Sequence, residues 1–165
     1  MRPLVTLLFL ALCSHPVFAD NLVGRVVGLA DGDTVTVLDD QKAQHKVRLA
    51  GIDAPEKGQA FGNVSKQSLS DLVYDKTVSV EWHKVDRYGR KVGKILIDDL
   101  DANLEQVKRG LSWHYKDYAK EQSPEDQTRY ADAEAQARLD KRGLWVDAEP
   151  IPPWAWRKMK REIAR

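Results

Sequence analysis

LVGRVVGLADGDTVTVLDDQKAQHKVRLAGI, residues 22–52, reads as three short β-strands in succession. Residues 22–29, 33–38 and 45–52 are rich in β-branched and apolar side chains that roughly alternate with polar ones. Ala30-Asp31-Gly32 and Asp39-Asp40-Gln41 break the pattern with turn residues, so the spacing predicts consecutive antiparallel strands. Downstream, residues 77–83 and 91–97 repeat the same β-rich pattern and are joined through Arg87-Tyr88-Gly89. Five short strands predict a small barrel.

Helical spacing appears between and after these strands. Val64, Leu69, Leu72 and Val73 place a helix over residues 62–74, inserted after the third strand. Leu104, Val107 and Leu111 mark a short second helix ending at Gly110, and a third runs from Pro124 to Leu139. Ser123 is a good N-cap for that third helix, Pro124 suits its first turn, and Gly143 stops the chain beyond it. The expected fold is therefore α+β, mainly a five-stranded barrel with about three helices. No internal repeat or low-complexity segment interrupts it.

Residues 1–19 carry one early cation, Arg2, then an apolar stretch from Leu4 to Leu12, and close on Val17-Phe18-Ala19. That pattern is expected of a removable secretory signal, too short in its apolar part to span a bilayer. Cys13, the single cysteine, falls inside it. The remaining chain would hold no thiol in an oxidising compartment, and its stability must come from packing. The expected organisation is a signal peptide at 1–19, one domain over 20–149, and a basic extension containing Pro and Trp over 150–165. Without Arg2 the 26 cations fall to 25 against 25 acids, a neutral balance for any protein that handles a polyanion. The imbalance is local: Arg157, Lys158, Lys160, Arg161 and Arg165 crowd the last twelve residues with Glu162 as the single acid. That segment either meets a polyanion or finishes the fold as a charged amphipathic helix.

Four clusters carry chemistry: Asp31-Gly32-Asp33-Thr34-Val35, Arg48, Asp53-Ala54-Pro55-Glu56 and Asp86-Arg87-Tyr88-Gly89-Arg90. Each lies at the edge of an apolar run, so strand ends and turns would present it on a rigid sheet. Asp33 and Asp53, on strands expected to pair, can converge on a hard cation. Oxygen-only ligation without His or Cys points to Ca²⁺ or Mg²⁺ rather than zinc. Asp31 reads as a turn-shaping residue beside that pair. Pro55 stiffens the backbone before Glu56, the candidate general base that aligns an attacking water. Arg48 and Arg90 offer planar forks that grip two phosphate oxygens at once, which lysine does not. Two metal-grade carboxylates, a spare carboxylate and two guanidinium groups are what phosphodiester hydrolysis requires.

DGDTV, VRLAGIDAPE and DRYGR, taken together and in this order, resemble the staphylococcal (micrococcal) nuclease family from about Val23 to Trp145. The resemblance implies the OB-fold arrangement of a five-stranded barrel with a helix after strand three. It also implies a site in which Asp33, Asp53 and the carbonyl of Ala54 hold Ca²⁺ and Arg48 binds the reacting phosphate. Glu56 acts there as base, and Arg90 also assists departure of the 5′-oxygen. Arg87 and Tyr88 stand where the family contacts a terminal phosphate. Tyr118 is the candidate base-stacking platform, with Tyr115 and Trp113 as rivals. His83 and His114 lie in no matching motif.

The implied activity is Ca²⁺-dependent, sugar-nonspecific hydrolysis of DNA and RNA to 3′-phosphorylated products, by a secreted or periplasmic monomer that needs no protein partner. The competing reading is a noncatalytic OB-fold module that binds single strands. It gives no reason to keep Arg48, Glu56 and Arg90 opposed at these spacings.

Overall fold

The computed structural model describes residues 20–165; the expected signal peptide, with Cys13, lies outside the described residues. In chain order the strands are β1 (Asp20–Leu29), β2 (Thr34–Leu38), β3 (Gln44–Leu49), β4 (Ile52–Asp53), β5 (Thr77–Val85), β6 (Lys91–Ile97), β7 (Leu100–Asp101) and β8 (Trp113–His114). The helices are α1 (Gly62–Val73), α2 (Ala102–Lys108), α3 (Pro124–Leu139) and α4 (Pro153–Ile163), with 3₁₀ turns at Lys116–Glu121 and Gly143–Val146. None of the described helices is long and apolar enough to cross a membrane.

Antiparallel pairing runs β3-β2-β1-β5-β6, and a parallel pairing of β3 with β6 joins the two ends. Val47 stands opposite Lys91 and Leu49 opposite Gly93. The result is the closed five-stranded mixed barrel of an α+β OB-fold, which leaves none of the five strands as a free edge. Alternation decides which face is core: Val35 and Val37 on β2, and Val47 and Leu49 on β3, point inward and are almost fully buried. Val26, Val78, Val80 and Ile95 complete the interior, while Leu69 and Val73 of α1, Leu104 and Val107 of α2 and Tyr130 of α3 pack against it. Truncating a core residue such as Leu69 to Ala would cost about 2–5 kcal/mol.

One expectation is corrected. The stretch 45–52 is not one strand, because the chain turns at Gly51 with φ +72°. Glycine suits that left-handed conformation, and a Cβ there would lie 2.2 Å from the side-chain amide carbon of Gln122 and push that side chain aside. Ile52–Asp53 then pairs with β8 instead of β2, Asp53 opposite Trp113. Asp33 and Asp53 are therefore not on paired strands. Among the described residues the basic C-terminal extension forms a further helix, α4, as a charged amphipathic segment there would.

Helix ends follow local chemistry. Ser123 Oγ accepts the Asp126 amide at 3.1 Å at the start of α3, with Pro124 in the first turn. Asp101 caps α2 through the Leu104 amide at 2.9 Å, and both its oxygens accept the Tyr130 hydroxyl, at 3.0 and 2.9 Å. Two fully buried amides of α2 fasten the barrel rim. Asn103 donates to the carbonyls of Ala50 and Gly93, both at 3.1 Å, and accepts the Ile95 amide. Gln106 donates to the Gly32 carbonyl at 3.1 Å and to the Ser65 carbonyl at 3.0 Å. The Asp31–Asp33 turn is thus tied from below to α1 and α2.

Candidate active site

Strand register brings the charged clusters together. Arg48 stands opposite Thr34 across β2–β3 and opposite Val92 across β3–β6. Asp33 and Arg90, immediately before β2 and β6, therefore reach the same barrel end as Arg48. Asp53 arrives by another route. The Ala54 amide donates to Asp33 Oδ2 at 2.8 Å, and this single bond fastens the segment after β4 to the turn before β2. Asp33 Oδ1 also accepts the Thr34 hydroxyl at 2.9 Å. Asp31 Oδ1 accepts the Asp33 amide at 3.1 Å, so Asp31 shapes the turn.

These residues line a cleft of about 570 Å³. Asp33, Arg48, Asp53, Ala54, Glu56, Arg87, Tyr88, Arg90 and Tyr118 all face it. Of the rival aromatics, Tyr115 lines the cleft as well, whereas Trp113 packs behind it against Trp145. His114 is buried, with Nε2 3.0 Å from the Gln122 side-chain oxygen. Burial holds its pKa below the ordinary histidine value, against opposing effects from Gln122 and Glu134.

Arg48 and Arg90 each have a carboxylate partner that aims them. Arg48 lies 3.7 Å from Glu121, donates weakly to the Ile52 carbonyl at 3.4 Å, and sits over the Tyr118 ring at 5.5 Å. Glu121, almost fully buried, also pairs with Lys84. Arg90 donates to Asp86 Oδ2 through Nε at 2.8 Å, with its terminal nitrogen at 2.7 Å. The other oxygen, Asp86 Oδ1, accepts the Tyr88 and Arg90 amides at 2.9 and 3.0 Å. Burial works to raise the Asp86 pKa, but the Arg90 and Tyr88 donors together outweigh it and hold the carboxyl below its ordinary value.

The remaining partner comes from the far end of the chain. Arg157 of α4 donates to Asp53 Oδ2 at 2.8 Å, to Asp53 Oδ1 at 3.1 Å and to Glu56 Oε1 at 2.6 Å. Burial pushes the Asp53 carboxyl up to about 6, with Asp33 adding to the rise and Arg157 opposing it. Asp31 is pushed up to about 7 by burial and then by Asp33. The Asp53 and Glu56 hydrogen bonds raise Arg157 above its ordinary value.

The donor set here is oxygen only. Among the described residues no group of three or more His, Cys, Asp and Glu side chains is arranged to hold a metal. A cation at Asp33 and Asp53 would need a backbone oxygen, water and substrate phosphate to complete its shell, as Ca²⁺ accepts and zinc does not. That Asp53 already binds a guanidinium shows that the place accepts positive charge. The residues fit a hard divalent cation.

Several functional contacts carry no sequence signal. The DRYGR motif contains Asp86, yet only the structure divides its two oxygens between turn and guanidinium. Glu121 lies in a 3₁₀ turn outside the recognisable motifs, and Arg157 in a helix whose charge pattern fits a polyanion contact or a solvated face equally.

Comparison with known proteins places the chain in a family. The family described as staphylococcal nuclease homologue matches residues 46–147. A protein of Escherichia coli O157:H7 named an uncharacterized endonuclease is 41% identical over 96% of this chain and 97% of its own length. A Haemophilus influenzae protein of the same description is 44% identical over 83% of this chain and 74% of its own. One from Shigella flexneri named micrococcal nuclease is 40% identical, covering 88% and 85%. The chain belongs to the staphylococcal nuclease family of phosphodiester hydrolases.

Proposed function

We propose that this chain is a Ca²⁺-dependent, sugar-nonspecific endonuclease that hydrolyses DNA and RNA to 3′-phosphorylated products. We place it outside the cytoplasm, secreted or periplasmic, as a monomer. The observation that carries the reading is the convergence of Arg48, Arg90 and Glu56 beside Asp33 and Asp53 in one cleft. A noncatalytic binding module would need none of these opposed charges, and no observation favours it. The expected leader at 1–19 supports the extracytoplasmic assignment.

Asp33, Asp53 and the Ala54 carbonyl would hold Ca²⁺, which when bound supplies positive charge against the reacting phosphate. Arg48, at the cleft floor, grips the phosphate oxygens in ground and transition states. Arg90 meets the charge that builds on the equatorial oxygens and the departing 5′-oxygen. In phosphoryl transfer one such guanidinium is worth about 10³–10⁵ in rate. Glu56 takes the proton of an in-line water, a step worth about 10²–10⁴. Arg87 and Tyr88, on the turn between β5 and β6, hold a neighbouring phosphate. The Tyr118 ring, partly exposed over Arg48, offers a surface on which a base of any identity stacks. This cleft has no element for reading base edges, consistent with weak sequence preference.

The test is cleavage of single-stranded DNA and RNA by the purified chain in Ca²⁺, Mg²⁺ or chelator, with the product ends analysed. Calcium-dependent release of 3′-phosphate ends is expected. Tight binding without cleavage in any metal would overturn the reading.

A further inference from the structure

The C-terminal helix α4 is anchored on the cleft at three points. The Trp154 ring stacks on Tyr115, centroids 5.2 Å apart and planes parallel within 1°. It also meets Trp113 edge-on at 5.7 Å. Just before the helix, the Ile151 carbonyl accepts the Gln59 side-chain amide at 2.6 Å. These contacts direct Arg157, one turn after Trp154, at Asp53 and Glu56 with three charge-assisted hydrogen bonds. Both oxygens of Asp53 are engaged, and the same guanidinium nitrogen that bonds Asp53 Oδ1 holds Glu56 Oε1.

We propose that Arg157 is an internal counter-ion that holds the cation-binding carboxylate and the general base in the free protein, and that it must leave Asp53 before a divalent ion is bound there. The inference rests on the proposed metal site and adds a competitor to it. Three features point the same way. A fork that takes both Asp53 oxygens occupies one in-plane lone pair on each, the two sites a divalent ion would use to bind that carboxylate bidentately. Glu56 cannot accept a proton from water along the lone pair that Arg157 occupies. Two carboxylates drawn together by one guanidinium are also kept from mutual repulsion until an ion of higher charge replaces it. By linkage, whatever stabilises the Arg157 contact in the free protein weakens metal binding by the same factor. Release of Arg157 would simultaneously open Asp53 and free Glu56, so that metal entry and activation of the base become one event.

The experiment titrates Ca²⁺ into the purified full chain without nucleic acid, by calorimetry and by thermal melting. The forms compared are wild type, Arg157→Gln, Arg157→Lys and Lys158→Gln. Lys158 is exposed on the same helix, so its variant removes the same charge without touching the carboxylates. Arg157→Gln is expected to bind Ca²⁺ on the order of tenfold more tightly, because the ion no longer displaces charge-assisted hydrogen bonds. It should melt lower without Ca²⁺ and gain more from Ca²⁺ than wild type does. Arg157→Lys, which keeps the charge and loses the fork, should fall between them, and it stands in if the Gln variant does not fold. Lys158→Gln should bind within about twofold of wild type, as expected for a screened surface charge. Equal or weaker Ca²⁺ binding by Arg157→Gln overturns the proposal while leaving the metal site intact. Tightening of Lys158→Gln to the same degree overturns it in favour of long-range charge. Failure of every form to bind Ca²⁺, alone and again with a single-stranded DNA oligonucleotide present to supply phosphate, overturns both the proposal and the metal reading.

Discussion

Asp86→Asn separates two jobs that one side chain performs on two different atoms. Oδ1 accepts the Tyr88 and Arg90 amides and builds the turn, whereas Oδ2 accepts from the Arg90 guanidinium at 2.8 and 2.7 Å. An asparagine keeps the first oxygen and presents an NH₂ group to the guanidinium, so donor meets donor and Arg90 loses its support. The turn itself retains two backbone hydrogen bonds, Asp86 N to Arg90 O at 2.9 Å and Gly89 N to Asp86 O at 3.0 Å. A part-buried pair of this kind contributes about 1 kcal/mol to stability, which shifts Tm by about 2–4 °C in a chain of this length. The effect on catalysis is larger, because a guanidinium misplaced by about 1 Å can lose on the order of 10²-fold in rate. The expected outcome is a 10- to 100-fold fall in kcat on single-stranded DNA, about 1.4–2.7 kcal/mol of lost transition-state stabilisation. KM should change little, because Arg87 and Tyr88 keep their turn. Turnover within threefold of wild type, with Arg90→Lys still inactive, would refute the claim that Asp86 aims Arg90.

Three other outcomes follow from the same structure. Asp33→Asn keeps the size of the side chain and removes its charge; cleavage should fall at least 10³-fold with unchanged circular dichroism, and near-normal turnover in Ca²⁺ would remove Asp33 from the site. Tyr130→Phe deletes a buried hydroxyl shared by both Asp101 oxygens, so stability should fall by about 1–3 kcal/mol in denaturant titration; an unchanged midpoint would show that the pair is not coupled to folding. His114, depressed by burial, contributes stability that is present above its unfolded value of about 6.5 and lost as pH falls toward its lower folded value. Wild type should accordingly lose more stability than His114→Gln between pH 7.5 and 5.5, and parallel curves for the two would contradict the assignment.

How far the site could be read from the chain depends on how each contact is encoded. Arg48, Asp33 and Arg90 were legible because each abuts a strand of clear alternation, and closure of the barrel carries strand ends to a common rim. Asp53 was legible as a residue but not in its path, since pairing of Ile52–Asp53 with Trp113–His114 is a two-residue ladder with no periodicity to betray it. Asn103 and Gln106 look like surface polar residues of a short helix, because pattern alone cannot show that the carbonyls of Ala50, Gly93, Gly32 and Ser65 wait beneath them. Arg157 is the sharpest case. A helix with Arg157, Lys158, Lys160 and Arg161 reads equally well as a solvated face or a polyanion contact, and long-range ion pairs leave no mark on local sequence.

The placement of Arg157 also bears on how a chain with a formal net charge of +1 engages a polyanion. Six carboxylates, Asp31, Asp33, Asp53, Glu56, Asp86 and Glu121, line the cleft with five cations, Arg48, Lys84, Arg87, Arg90 and Arg157. Four of those cations already hold a carboxylate: Arg48 and Lys84 share Glu121, Arg90 has Asp86, and Arg157 has Asp53 and Glu56. A phosphate entering this cleft meets guanidinium groups that are oriented but internally compensated, so bulk electrostatics supply little of the attraction. On the proposed reading, exchange of Arg157 for a divalent ion raises the charge beside Asp53 by one unit, and Arg157 is freed to face solvent or substrate. Affinity for nucleic acid would then rise with bound metal instead of with the charge of the whole chain. A neutral protein would in that way confine its phosphate binding to the place where the phosphate is cut.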